Sequence, residues 1–201
     1  MEDTIEFLID KYGVCPTGGE VCTIEDDSKY GFPVMLNELD FKFGAEIGVH
    51  RGSHCRMLCE AIPKLKLLCI DSWQYYDDYR QRYSQDRLDG CMEQTKQVLT
   101  GYDFQIIKGD SIESSKNIPD ESLDFVFIDA NHEFQHVVND IAAWAKKVRP
   151  GGIVSGHDFK DFRAPQELIQ VKDAVLGWTH AYDIQLFVFE GDNGPIWFYI
   201  K

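Results

Sequence analysis

The chain is short of positive charge. It carries 20 Lys and Arg against 34 Asp and Glu in 201 residues, a net charge of −14. Binding duplex phosphates needs clustered Lys and Arg, so nucleic acid is disfavoured as a partner. Long apolar runs are missing too. Stretches such as 125–128 are far too short to span a bilayer, and no membrane partner is expected. The start, Met1-Glu2-Asp3, lacks the basic region of a secretory leader. None of the six cysteines, at 15, 22, 55, 59, 69 and 91, forms a C-x-x-C pair. Reduced, mostly buried thiols in a cytoplasmic protein are therefore expected. Prolines number only 7, while 44% of residues are hydrophobic and 13% aromatic. That composition excludes disorder, and the length suits one domain with its own core.

Residues 1–13 read as an amphipathic helix with Ile5, Leu8, Ile9 and Tyr12 on one face and Gly13 as its stop. Residues 14–38 carry Pro16, Gly18, Gly19, Gly31 and Pro33 and read as an irregular cap or flap. From residue 39 onward the pattern is strand, turn, helix, repeated. Strands are expected at 42–47, 66–70, 104–108, 123–128 and 152–155. Most are compact apolar runs without alternation, as in a parallel sheet covered on both faces. A helix is expected at 53–61, capped by Ser53. A second carries Phe134, Val137, Val138, Ile141, Ala145 and Val148 and ends at Pro150-Gly151-Gly152. A third starts at Pro165, carries Leu168, Val171, Val175 and Leu176, and closes at Gly177. The runs 183–190 and 195–201 flank Gly191-Asp192-Asn193-Gly194 and read as a terminal antiparallel hairpin. The stretch 73–101 is longer than a simple crossover and rich in Tyr and Arg. It reads as a substrate lid, in which Arg80, Arg82 and Arg87 are candidates for gripping an anionic group.

Five acids, Glu46, Asp71, Asp110, Asp129 and Asp158, stand at or just past the carboxyl ends of these strands. In an open parallel sheet those ends share one ligand-binding edge. Like charges placed together repel, so a cationic or hydroxyl-rich ligand, or a metal ion, would explain the row. The first turn, Glu46-Ile47-Gly48-Val49-His50-Arg51-Gly52-Ser53, is not the G-x-G-x-x-G of dinucleotide enzymes. Gly48 permits a sharp turn close to a ligand, and Gly52 permits close packing of the next helix. Asp71 follows Gly52 by 19 residues, where an acid can bind ribose hydroxyls.

Over about residues 40–201 the sequence resembles the class I S-adenosylmethionine-dependent methyltransferases. Glu46–Gly52 resembles their first motif, beside the methionine part of the cofactor, with Ser53 just after it. Asp71, followed by Ser72 and Trp73, resembles the ribose-binding acid. Gly109-Asp110-Ser111 resembles the adenine-side loop, 127–130 the motif at the catalytic edge, and 149–152 the turn before the fifth strand. The resemblance implies a Rossmann-like, doubly wound, seven-stranded mostly parallel sheet with a C-terminal antiparallel hairpin. Asp129-Ala130-Asn131-His132-Glu133 and Gly156-His157-Asp158-Phe159 resemble the small-molecule O-methyltransferase branch, of macrocin and catechol type. That branch often holds a divalent metal such as Mg²⁺ on these two loops, although His157-Asp158 stands where catechol-type members have Asp-Asn.

The implied chemistry is attack of a substrate hydroxyl on a sulfonium methyl, with removal of the hydroxyl proton. His132, Asp129 and His157 are the catalytic candidates. Asp129, His157 and Asp158 are the metal candidates. Trp73 is a candidate for stacking near adenine. A methyltransferase acting on nitrogen or a macromolecule, and a non-catalytic subunit of the same fold, stay open. Asn/Asp-Pro-Pro-Tyr is absent after the fourth of these strands, which disfavours nitrogen. A small-molecule acceptor is the expected partner, and a homodimer is left open.

Overall fold

A computed structural model describes residues 2–16, 21–26, 28–75, 83–164, 167–191 and 194–201. In chain order the elements are α1 (Glu2–Tyr12), β1 (Cys22–Glu25), α2 (Ser28–Glu38), β2 (Phe43–Ile47), α3 (Ser53–Ala61), β3 (Lys66–Asp71), α4 (Gln85–Val98), β4 (Asp103–Lys108), α5 (Ser111–Ser115), β5 (Leu123–Ile128), α6 (Phe134–Trp144), β6 (Val148–Gly156), β7 (Asp161–Ala164), β8 (Glu167–Gln170), α7 (Val171–Ala181), β9 (Phe187–Glu190) and β10 (Ile196–Ile200). No helix among the described residues is long and apolar enough to cross a membrane.

The main sheet runs β1-β9-β10-β6-β5-β2-β3-β4. Its pairs are parallel except those of β10, which runs antiparallel to both β6 and β9. From β2 the chain builds outward through β3 and β4, then returns to add β5 and β6 on the other side. That reversal between β2 and β5 opens a crevice at the carboxyl ends, the usual ligand position in such sheets.

Both faces are covered, which is why the strands read as apolar runs. On β5, Phe125 and Phe127 belong to one core with Phe32, Leu58 and Phe198. Val126 and Ile128 face the other core with Val137, Ile141, Trp144 and Val175. Burying each such side chain contributes about 1.5–3 kcal/mol.

The fold class is the doubly wound one expected. Its sheet carries an eighth strand beyond the seven foreseen, because β1 pairs in parallel with β9. This strand and α2 come from the segment read as an irregular cap. Pro33 lies inside α2 and disfavours it locally. Complete burial of Phe32, Met35 and Leu36 against the sheet outweighs that cost. The last helix is also displaced. Residues 161–164 and 167–170 pair antiparallel as a separate two-stranded sheet, Asp161 opposite Gln170 and Ala164 opposite Glu167. Helix α7 then begins at Val171 and runs through Gly177; Pro165 lies outside the described residues. The cap of α3 is Gly52 and not Ser53. Much of the stretch read as a lid is α4, while Arg80 and Arg82 lie outside the described residues.

Candidate active site

A cavity of about 620 Å³ opens along the carboxyl ends of β5, β2, β3 and β4. Its wall includes Gly48, Asp71, Asp110, Asp129 and His132.

The turn after β2 is shaped by backbone packing. Gly48 has φ +92°, and a Cβ there would lie 2.2 Å from the Asp129 carbonyl oxygen. What needs the glycine is the neighbouring strand. Gly52 has φ +76°, and a Cβ would lie 3.0–3.1 Å from Thr95 and Val98, so it lets α3 pack on α4. Gly52 and Ser53 are not part of the cavity wall.

Asp71 organises the next loop. One carboxylate oxygen accepts from the His50 N–H at 2.8 Å and the other from the Trp73 N–H at 2.8 Å. Each oxygen retains a lone pair for a hydroxyl donor. Trp73 is fully buried, and its indole N–H donates to the His50 carbonyl at 2.8 Å. Its indole therefore locks two loops together, which leaves no exposed ring face for the stacking expected of it. Both His50 (φ 52°) and Trp73 (φ 38°) hold left-handed backbone, a strain that persists where surrounding bonds over-determine it. The His50 ring stacks on Tyr83 at 5.7 Å, and the Arg87 guanidinium lies 4.1 Å from the Tyr83 ring. Burial, reinforced by Arg51, lowers the His50 pKa. Gln85 ties residues 73–75 to α4, donating to the Trp73 carbonyl at 2.9 Å and accepting from the Tyr75 N–H at 3.0 Å. Ser72 lies on the cavity wall.

Glu46 points away from the cavity. It is 2% exposed, and its carboxylate lies 3.1 Å from Nδ1 of His54, whose ring packs on Phe127 at 4.0 Å. It joins β2 to α3 beneath the turn. Alternation along β2 turns Glu46 to the α3 face, a direction its strand-end position did not reveal.

At the β4 end, Asp110 caps α5, accepting from the Glu113 N–H at 3.0 Å. The Ser111 hydroxyl donates to Asp140 Oδ1 at 2.5 Å and accepts from the Trp144 indole N–H at 2.9 Å. Asp140, on α6, was not foreseen as a site residue. It is 5% exposed yet lines the cavity, and burial pushes its pKa up to about 6. A single acid on the inner face of an amphipathic helix, between Val137, Ile141 and Trp144, was the available signal.

At the β5 end the structure brings together Asp129, His132 and Asp158. His132 Nε2 lies 3.1 Å from Asp129 Oδ1, and its Nδ1 lies 3.7 Å from Asp158 Oδ2. Burial lowers the His132 pKa, but the Asp129 hydrogen bond and the charges of Asp129 and Asp158 outweigh it and raise the value. Asp158 Oδ1 meets Lys160 Nζ at 2.9 Å and His157 Nδ1 at 3.3 Å. Despite its burial these partners hold its carboxyl well below the usual range. The three donor atoms of Asp129, His132 and Asp158 lie within 4.8 Å of one another, a spacing a metal ion can use. His157 sits beside this group and outside it, 4.0 Å from Asp129. The β7–β8 hairpin supports the His132 loop, Gln170 N–H donating to the His132 carbonyl at 2.8 Å.

The family model described as a methyltransferase domain matches residues 45–159. An uncharacterized protein of Acanthamoeba polyphaga mimivirus is 37% identical over 68 residues, 34% of this chain and 31% of that protein. The chain thus spans about a third of that relative's length. Among solved structures, an O-methyltransferase from Bacillus cereus in complex with SAH superposes with a TM-score of 0.61 at 15% identity, covering 100% of this chain and 90% of that one. The O-methyltransferase TomG from Streptomyces achromogenes, in complex with SAM, superposes with a TM-score of 0.61 at 14% identity, covering 86% and 78%. The chain belongs to the methyltransferase-domain family, and its fold is that of the class I S-adenosylmethionine-dependent methyltransferases.

Proposed function

We propose that the chain transfers a methyl group from S-adenosylmethionine to a hydroxyl of a small molecule, with His132 as general base. The observation that carries this reading is the imidazole held between two carboxylates at one end of the cavity. The cavity volume lies in the range of small-ligand sites. Its carboxylates, Asp71, Asp110, Asp129 and Asp140, suit a ligand with a sulfonium, an amine and ribose hydroxyls. Asp71 is the acceptor placed for the ribose.

When bound, S-adenosylmethionine supplies an electrophilic methyl on a positive sulfur. The chain must then align the acceptor oxygen and take its proton. Neutral His132 with its proton on Nε2 donates to Asp129 Oδ1, which fixes the ring. Nδ1 stands beyond hydrogen-bond length from Asp158, so its lone pair is open to the acceptor hydroxyl. The imidazolium formed is then stabilised by both carboxylates.

The donor types and spacing of Asp129, His132 and Asp158 also fit a divalent cation; a cation held there would take an imidazole nitrogen and would stand in for His132 as the base. When bound, such an ion lowers the pKa of a hydroxyl and orients it. His157 serves there as a neighbour of Asp158. Calorimetry with S-adenosylhomocysteine and transfer of labelled methyl to small-molecule extracts test the reading. No binding at millimolar ligand would end it.

A further inference from the structure

We propose that Lys160 is the built-in cation of the reacting end: it holds Asp158 in place of a divalent ion and so leaves the His132 imidazole free to act as base. The inference rests on the methyl-transfer reading, and it decides between the base and the cation that the same three residues fit. The two oxygens of Asp158 face different ways. Oδ2 stands 3.7 Å from Nδ1 of His132, while Oδ1 meets Lys160 Nζ at 2.9 Å and His157 Nδ1 at 3.3 Å. The Lys160 pair is made locally. Asp158 holds left-handed backbone at φ 54°, and the Lys160 N–H donates to the Asp158 carbonyl at 2.5 Å. That tight turn brings the lysine side chain back to the carboxylate two residues before it.

The Asp158 side chain is 13% exposed and that of Lys160 48%. The carboxylate is thus withdrawn from water while the ammonium stays half in it. A withdrawn carboxylate needs a counter-charge. A tethered ammonium supplies one at high effective concentration, ahead of an ion that must first shed water. A divalent ion on Asp129, His132 and Asp158 would bond at about 2.0–2.6 Å and stand within about 8 Å of the Lys160 ammonium. Like charges that close repel, and a partly buried pair is poorly screened. Lys160 does not replace such an ion in full. An ammonium only donates hydrogen bonds and has no position to offer an imidazole nitrogen or a substrate oxygen. It fixes the carboxylate and leaves the Nδ1 lone pair of neutral His132 to the acceptor hydroxyl. Lys160 is therefore a positioning residue that acts through Asp158. Lys172 provides the matching control: its ammonium lies 5.8 Å from the Phe159 ring and pairs with no carboxylate among the described residues.

The test reads metal binding directly. Mn²⁺ alone is titrated into the wild type, Lys160→Met, Lys160→Gln, Lys160→Arg and Lys172→Met, and the free ion is followed by electron paramagnetic resonance. Circular dichroism first shows each variant to be folded, and two neutral substitutions keep the comparison open if one fails. The wild type is expected to bind with a Kd weaker than about 0.1 mM. Lys160→Met and Lys160→Gln are expected to bind about tenfold more tightly or better. Lys160→Arg keeps the charge and should bind as weakly as the wild type, and so should Lys172→Met. Adding Asp158→Asn to Lys160→Met should abolish the gain. A wild-type Kd tighter than about 0.1 mM would overturn the proposal. Unchanged binding in the neutral variants, an equal gain in Lys160→Arg or Lys172→Met, or a gain that survives Asp158→Asn would overturn it too. Calorimetry with S-adenosylhomocysteine on the same samples keeps the two readings apart. A wild type that does not bind it ends the cofactor reading, whatever Mn²⁺ does.

Discussion

Asp140 makes a prediction about the free protein. Burial pushes its pKa from 3.8 to about 6. An acid raised in the folded state binds its proton more tightly there than in the unfolded chain. Stability from this group is therefore full below pH 3.8, falls as pH rises between the two values, and is lowest above pH 6. At 1.36 kcal/mol per pKa unit the full penalty is about 3 kcal/mol. Water entering the cavity moderates it, so about 1–3 kcal/mol is expected. Asp140→Asn is isosteric and keeps an oxygen for the Ser111 hydroxyl, but has no charge to bury. Urea unfolding from pH 4 to pH 8 should show the variant gaining on the wild type as pH rises. At pH 8 the melting temperature should be higher by about 5 °C. Toward pH 4 the gap should shrink to about 0.5 kcal/mol. A variant no more stable than wild type at pH 8, or a gap independent of pH, would refute the burial argument.

Asp71→Ala removes the acceptor of two backbone N–H groups. It should weaken S-adenosylhomocysteine binding about 100-fold by calorimetry and cost about 2 kcal/mol in urea; unchanged binding would remove its ribose role. His132→Ala should lower kcat by about 10²–10⁴-fold with cofactor affinity kept. Because its pKa is raised, the wild-type rate should climb with pH through a midpoint above 6.5 as the imidazole becomes neutral. A midpoint at or below 6.5 in a pH–rate profile would contradict the Asp129 pairing. Gly48→Ala should cost more than about 3 kcal/mol, measured as loss of folded protein on heating, since its Cβ would meet the Asp129 carbonyl at 2.2 Å. Exhaustive chelation should abolish turnover if Asp129, His132 and Asp158 hold a cation, and Mn²⁺ added alone should then bind wild type but not Asp158→Ala.

The parallel core was legible because both faces of its strands are apolar, as at 123–128, and Gly13 does close the first helix. The helix expected to run on to Pro150 stops at Trp144, and residues 150–152 lie inside β6. The misplaced elements share a cause. α2 forms across Gly31 and Pro33 because Phe32, Met35 and Leu36 are completely buried, a tertiary effect invisible to local propensity. The β7–β8 hairpin occupies residues whose apolar spacing also fits a helix. Among its described residues only Ile169, at 2% exposure, is deeply buried, and the pairing of Phe162 with Ile169 is not a local signal.

The row of acids shows the same limit at the site. All five stand near strand ends, yet sequence position does not say where a carboxylate points. Glu46 turns under the sheet to His54. Asp71 binds the turns on either side of it. Asp110 caps a helix. Their placement suits the loops that a ligand needs, and those hydrogen bonds offset their mutual repulsion without any ligand present. Only Asp129 and Asp158 converge, and they converge on His132. The imbalance of acids over bases therefore divides into a solvated surplus, three acids that shape the crevice, and two that surround one imidazole. Chemistry is to be sought at those two.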